Sequence, residues 1–126
     1  MVLLHDIVQV GARADLDRVF PTVCYVIEGQ INVTMFGSHG RFRAEDLEKA
    51  DVAYFPKGYG HSIENMGDNP CRVLIGFKSG VYETIYLSQW IAGNPLDVLA
   101  TNFSKPEALF EKFPQVDVFI TDKSRT

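Results

Sequence analysis

The chain has 126 residues, with 12 Lys and Arg against 16 Asp and Glu, a net charge of −4 and an apolar fraction of 46%. Nine Phe and five Tyr exceed what a solvated, disordered coil carries, and the length suits one domain with one core. The mild acidic balance offers no attraction to a phosphate backbone, so no nucleic-acid partner is expected, and no apolar run reaches the roughly 20 residues of a membrane span.

The first 77 residues read as strands separated by turns. Val23-Cys24-Tyr25-Val26-Ile27 is β-branched and aromatic and stops at Glu28-Gly29. Gln30 to Phe36 alternates polar with apolar, the period of a half-buried strand, and Gly37-Ser38-His39-Gly40 ends it. Arg41-Phe42-Arg43 resumes the alternation. Val52-Ala53-Tyr54-Phe55 runs into the turn Pro56-Lys57-Gly58-Tyr59-Gly60. His61 to Asn65 leads to a second turn at Gly67-Asp68-Asn69-Pro70, and Arg72 to Phe77 is one more strand. Strands without intervening helices imply an antiparallel sandwich or barrel.

From residue 87 the pattern becomes helical. Leu87 to Ala92 predicts a short helix ending near Gly93-Asn94, and Pro95 to Ala100 a second with proline in its first turn. Ser104-Lys105-Pro106-Glu107 has the spacing of a capping box, after which Leu109, Phe110 and Phe113 form an apolar stripe for the barrel or another subunit. The expected layout is a barrel over about residues 1–86, helices over 87–114 and a tail over 115–126. Cys24 and Cys71 lie in apolar runs and read as small hydrophobes, not as a disulfide framework. The segment Met1-Val2-Leu3-Leu4-His5-Asp6 lacks the features of a secretion signal, so the expected location is cytoplasmic. His39 falls in a turn, and His5 begins an edge strand.

Pro56-Lys57-Gly58-Tyr59-Gly60-His61-Ser62-Ile63-Glu64-Asn65 fits the second cupin motif, P-x-G-x-x-H-x-x-x-N, at each defined position. With Gln89-Trp90-Ile91-Ala92, Pro95 and Ala100-Thr101-Asn102-Phe103, the chain resembles the amino-terminal domain of bicupin oxalate decarboxylases over roughly residues 10–115. The resemblance implies an all-β cupin fold, a jelly-roll barrel (double-stranded β-helix), with a short helical C-terminal appendage. It also implies a manganese ion held by three histidines and one glutamate, two of the histidines and the glutamate coming from a first motif and the last histidine from the second.

This chain departs from that first motif. Counting back from Gly29 without gaps puts Leu16 and Arg18 at the two histidine positions and Thr22 at the glutamate position, while Arg13 falls where the family has a substrate-binding arginine. Sliding the register by one residue offers Asp15 and Asp17 instead, without a fourth ligand. His61 alone is retained. One imidazole holds a first-row divalent ion poorly, and a guanidinium at Arg18 would repel it. No cofactor is therefore expected, manganese on His61, Asp15 and Asp17 being the alternative.

Three readings follow. In the first, a metal-independent cupin binds an organic acid or carbonyl compound in the barrel and isomerises, cyclises or dehydrates it, in the manner of a lyase or isomerase. His61 is the acid or base. Glu83 lies in the stretch that resembles the family's proton-transfer loop and is a second catalytic candidate. Arg13, Arg18, Thr22, Cys24, Tyr25 and Tyr54 are substrate-binding candidates: the arginines for a carboxylate fork, the tyrosines as donors inside the barrel, and Cys24 because it shares inward parity with Thr22 and Val26. The second reading is a manganese-dependent oxalate-decarboxylase-type enzyme. The third is a non-catalytic binding or assembly module. All three carry the expectation of a homodimer or larger assembly.

Overall fold

The computed structural model describes residues 21–80 and 85–114 with their side chains, and residues 2–8 and 12–17 as backbone. Among the described residues eight strands occur in chain order: β1 (Val2–Val8), β2 (Ala12–Asp17), β3 (Thr22–Glu28), β4 (Ile31–Phe36), β5 (Phe42–Leu47), β6 (Val52–Phe55), β7 (Tyr59–Asn65) and β8 (Cys71–Phe77). Three short helices follow, α1 (Leu87–Ala92), α2 (Leu96–Phe103) and α3 (Glu107–Phe110). No helix among the described residues is long and apolar enough to cross a membrane.

The strands form two four-stranded sheets in the orders β1-β8-β3-β6 and β2-β7-β4-β5, with antiparallel pairing throughout. This is the antiparallel sandwich expected from the turn-punctuated sequence. Consecutive strands β6 and β7 belong to different sheets, as do β7 and β8, so each short connection carries the chain across the core.

Side-chain alternation builds that core. Cys24 and Val26 on β3, Ile31 and Val33 on β4, Ile63 on β7 and Val73, Ile75 and Phe77 on β8 are buried, while the residues between them face outward. Fully burying one Val- or Ile-sized side chain is worth about 1.5–3 kcal/mol, so the two inner faces hold the sheets together. Neither Cys24 nor Cys71 forms a disulfide. Cys71 Sγ donates to the Asn65 side-chain oxygen (3.1 Å) and to the Gln30 carbonyl (3.3 Å).

Two expectations for the appendage are revised. Ser104 does not cap α3: it ends α2 in a left-handed conformation (φ 52°), its N–H directed at the Ala100 and Thr101 carbonyls. Pro106 takes the cap position of α3, without a side-chain bond. The stripe is also not wholly exposed. Phe110 is buried, with its ring 5.5 Å from Phe103 and 5.3 Å from Phe113, so these aromatics satisfy one another where α2 meets α3. Leu109 remains exposed.

Candidate functional site

The local chain explains why one histidine points inward. Tyr59 N–H bonds the Pro56 carbonyl at 3.2 Å, and Gly58 in the third position of that turn has φ +86°, a conformation that favours glycine. The turn takes the chain from the end of β6 to the start of β7 in the facing sheet. His61, Ile63 and Asn65 then fall on the buried side of β7, with His61 3% exposed. Asn65 closes the next connection: its side chain accepts from Gly67 N–H (2.8 Å) and donates to the Asn69 carbonyl (2.7 Å). The asparagine of the motif is thus a structural pin, and the proline and glycine set the crossing.

His61 stacks on Phe55, with ring centroids 3.9 Å apart and planes within 9°. Since Phe55 lies on β6 and His61 on β7, the stack bridges the two sheets. Thr22 sits opposite both Phe55 and Phe77 in the strand pairing and is 1% exposed. Its hydroxyl is buried with no hydrogen-bond partner among the described residues. A hydroxyl in that condition costs about 1–3 kcal/mol relative to one that is bonded. Cys24 lies one inward position further along β3 and is fully buried. The structure therefore places Thr22, Cys24 and His61 in the interior.

Tyr25 and Tyr54 are not there. They are 39% and 58% exposed and share a hollow on the outer face of the β3-containing sheet with Val23 and Leu74. Strand period accounts for the correction: with Cys24 and Val26 inward, Tyr25 must face out, and Tyr54, adjacent to the inward Phe55, does the same. His39 is exposed in a single-turn helix at Ser38–Gly40, as its turn composition implies.

The pairing of β2 with β7 bears on the rebuilt first motif. Asp15 holds the position opposite His61, Arg13 that opposite Ile63, and Leu16 that opposite Gly60. Arg18 and Glu83 lie outside the described residues.

The described donors do not match a three-histidine, one-carboxylate ion site. Among the described side chains the interior has one imidazole, His61, and a threonine hydroxyl, Thr22, at the position that the resemblance gives to the carboxylate. Among the described residues no three His, Cys, Asp or Glu side chains converge.

Two four-stranded antiparallel sheets, an inward histidine after a Pro-x-Gly turn and an asparagine pin define a cupin barrel, and the cupin family model matches residues 20–106. The chain belongs to the cupin family. It is 30% identical over 104 residues to a probable oxalate decarboxylase of Arthroderma benhamiae, covering 79% of this chain and 26% of that protein. It is 37% identical over 82 residues to germin-like protein subfamily 2 member 5 of Arabidopsis thaliana, covering 64% of this chain and 38% of that one. Among solved structures, Bacillus subtilis oxalate decarboxylase, an enzyme with Mn(II) centres, superposes with a TM-score of 0.88 at 26% identity, over 96% of this chain and 33% of that chain. The chain thus spans about a third or less of the length of the oxalate decarboxylases that it resembles.

Proposed function

We propose that this cupin binds a small organic acid or carbonyl compound inside its barrel without a metal ion, and transforms it by proton transfer. One observation carries the reading: the buried Thr22 hydroxyl, beside the Phe55–His61 stack, has no hydrogen-bond partner among the described residues. A ligand carbonyl or carboxylate oxygen would accept that hydrogen bond, and the flat apolar wall of Phe55 would exclude water from it. His61 is the acid or base that moves a proton on or off the bound compound, an isomerase- or lyase-type role. Arg13, Arg18 and Glu83 remain candidates for holding the carboxylate and for a second proton transfer. The cysteines, buried and outside any disulfide, suit a cytoplasmic location.

Metal analysis of the purified protein, with a thermal-shift screen of organic acids on the native chain and on His61→Asn, tests this. The expected result is no stoichiometric transition metal and a stabilising acid whose turnover needs His61. Stoichiometric metal that chelators strip with loss of activity would overturn it.

A second reading is favoured by the β2 register. With Asp15 opposite His61, an ion held by His61, Asp15 and Asp17 would make the protein an oxalate-decarboxylase-type enzyme. That reading requires formate and CO₂ from oxalate, dependent on manganese and dioxygen and lost in Asp15→Asn.

A further inference from the structure

β5 and β6 end their respective sheets, so each presents a strand edge with no further strand of its own sheet beyond it. Between these edges lies a cleft of about 360 Å³. Its floor is apolar, formed by Val33, Met35, Leu47 and Phe55, and Arg43 and Glu45 stand among the polar residues at its edge. The volume falls within the range of sites that take small molecules.

The chemistry of the rim is specific. Arg43 Nε donates to Glu45 Oε1 at 2.6 Å, which orients the guanidinium. No other described residue engages Arg43, so both terminal amino groups remain for an incoming acceptor, in the fork that fits a carboxylate. Glu45 beside it disfavours a second negative charge, which selects a monocarboxylate over a dicarboxylate. Below the rim, the half-buried Met35 presents a thioether surface suited to a flat ring, and the buried Phe55 backs it.

The geometry points to this cleft as a binding site for an aryl monocarboxylate, with the carboxylate on Arg43 and the ring against Met35, an inference that rests on the proposed function and names the class of acid. The cleft opens onto the inner face of the barrel, because Arg43, Glu45 and Leu47 pair in register with Met35, Val33 and Ile31, and binding there does not require the His61 imidazole. Phe55 backs the cleft and stacks on His61, and Met35 pairs in register with Arg43 on one side and His61 on the other.

Methionine-methyl NMR on the native chain, titrated with 1-naphthoate, provides the test. Met35 lies in the cleft, while the exposed Met66 lies outside it and is an internal control. The Met35 methyl resonance should shift and saturate while Met66 stays in place. In Arg43→Gln, an exposed substitution that leaves the core intact, naphthoate affinity should fall about tenfold, and 1-naphthalenemethanol should bind equally weakly to both proteins. No Met35 shift up to about 10 mM naphthoate, the weak end of small-ligand affinity, would overturn the proposal. So would equal affinity in Arg43→Gln, or a Met66 shift as large as that of Met35. A His61→Asn protein that still binds naphthoate but turns over no acid tells failure of the cleft apart from failure of the His61 reading.

Discussion

Thr22 is the residue that the gapless count from Gly29 sets at the carboxylate position, and its environment decides what a hydroxyl does there. The side chain is buried between Phe55 and Phe77 in the strand pairing, and the hydroxyl has no partner among the described residues. Thr22→Val keeps the shape and deletes the polar atom. The protein without ligand should gain about 1 kcal/mol, a rise in melting temperature of roughly 3–5 °C, while stabilisation by an interior organic acid falls. Thermal unfolding with and without ligand reads both effects, and a lower melting temperature for the ligand-free variant would count against an unpartnered hydroxyl. Asn65 is the contrasting case, with its amide spent on Gly67, Asn69 and Cys71. Asn65→Ala should cost about 1–3 kcal/mol in chemical denaturation and leave ligand affinity per folded molecule unchanged. His61 was legible in the sequence because its motif has fixed spacing. Its inward orientation needs only strand parity, whereas the Phe55 stack requires knowing that β6 and β7 belong to opposite sheets.

At the scale of the element, the turns hold the sandwich in register through particular glycines. Gly29 (φ +92°) lies against Cys71, and a methyl group there would overlap the Cys71 Sγ, itself fixed by hydrogen bonds to Asn65 and Gln30. Gly58 (φ +86°) has the same backbone demand with open space around it. Gly29→Ala should therefore cost at least about 2 kcal/mol from backbone strain and overpacking together. Gly58→Ala should cost only the backbone share, about 1–2 kcal/mol. Urea denaturation of the pair separates strain from steric overlap, and equal losses would contradict the close approach to Cys71. The strands β3, β4, β6 and β8 could be read because alternation and turn residues agree along them. The first motif could not, since Leu16 and the Asp15/Asp17 pair imply opposite faces and the alternation along Ala12–Asp17 favours neither. The capping box failed for a similar reason: Ser104 was already committed to ending α2.

For the molecule as a whole, the outer face of the β1-β8-β3-β6 sheet is the surface on which the expected assembly is tested. Val23, Tyr25, Tyr54 and Leu74 surround a hollow of about 480 Å³ there, with Lys78 among the residues that line it. Val23, Tyr25 and Tyr54 are each exposed to solvent. Apolar side chains gathered in this way favour burial against another surface, and tyrosines are common at the centres of interfaces. If the chain pairs, this face predicts the contact better than the helical stripe, where Phe110 is already covered by Phe103 and Phe113. A charge introduced at the middle of the face would have to be desolvated twice in a symmetric pair, once on each copy. Tyr25→Glu should therefore convert a dimer to a monomer at micromolar concentration while the fold stays intact, because that side chain faces away from the core. Leu109→Glu, on the exposed side of α3, should leave the dimer in place. Sedimentation velocity on the three proteins decides the matter: a native monomer, or a dimer broken by Leu109→Glu and not by Tyr25→Glu, would move the interface away from the sheet.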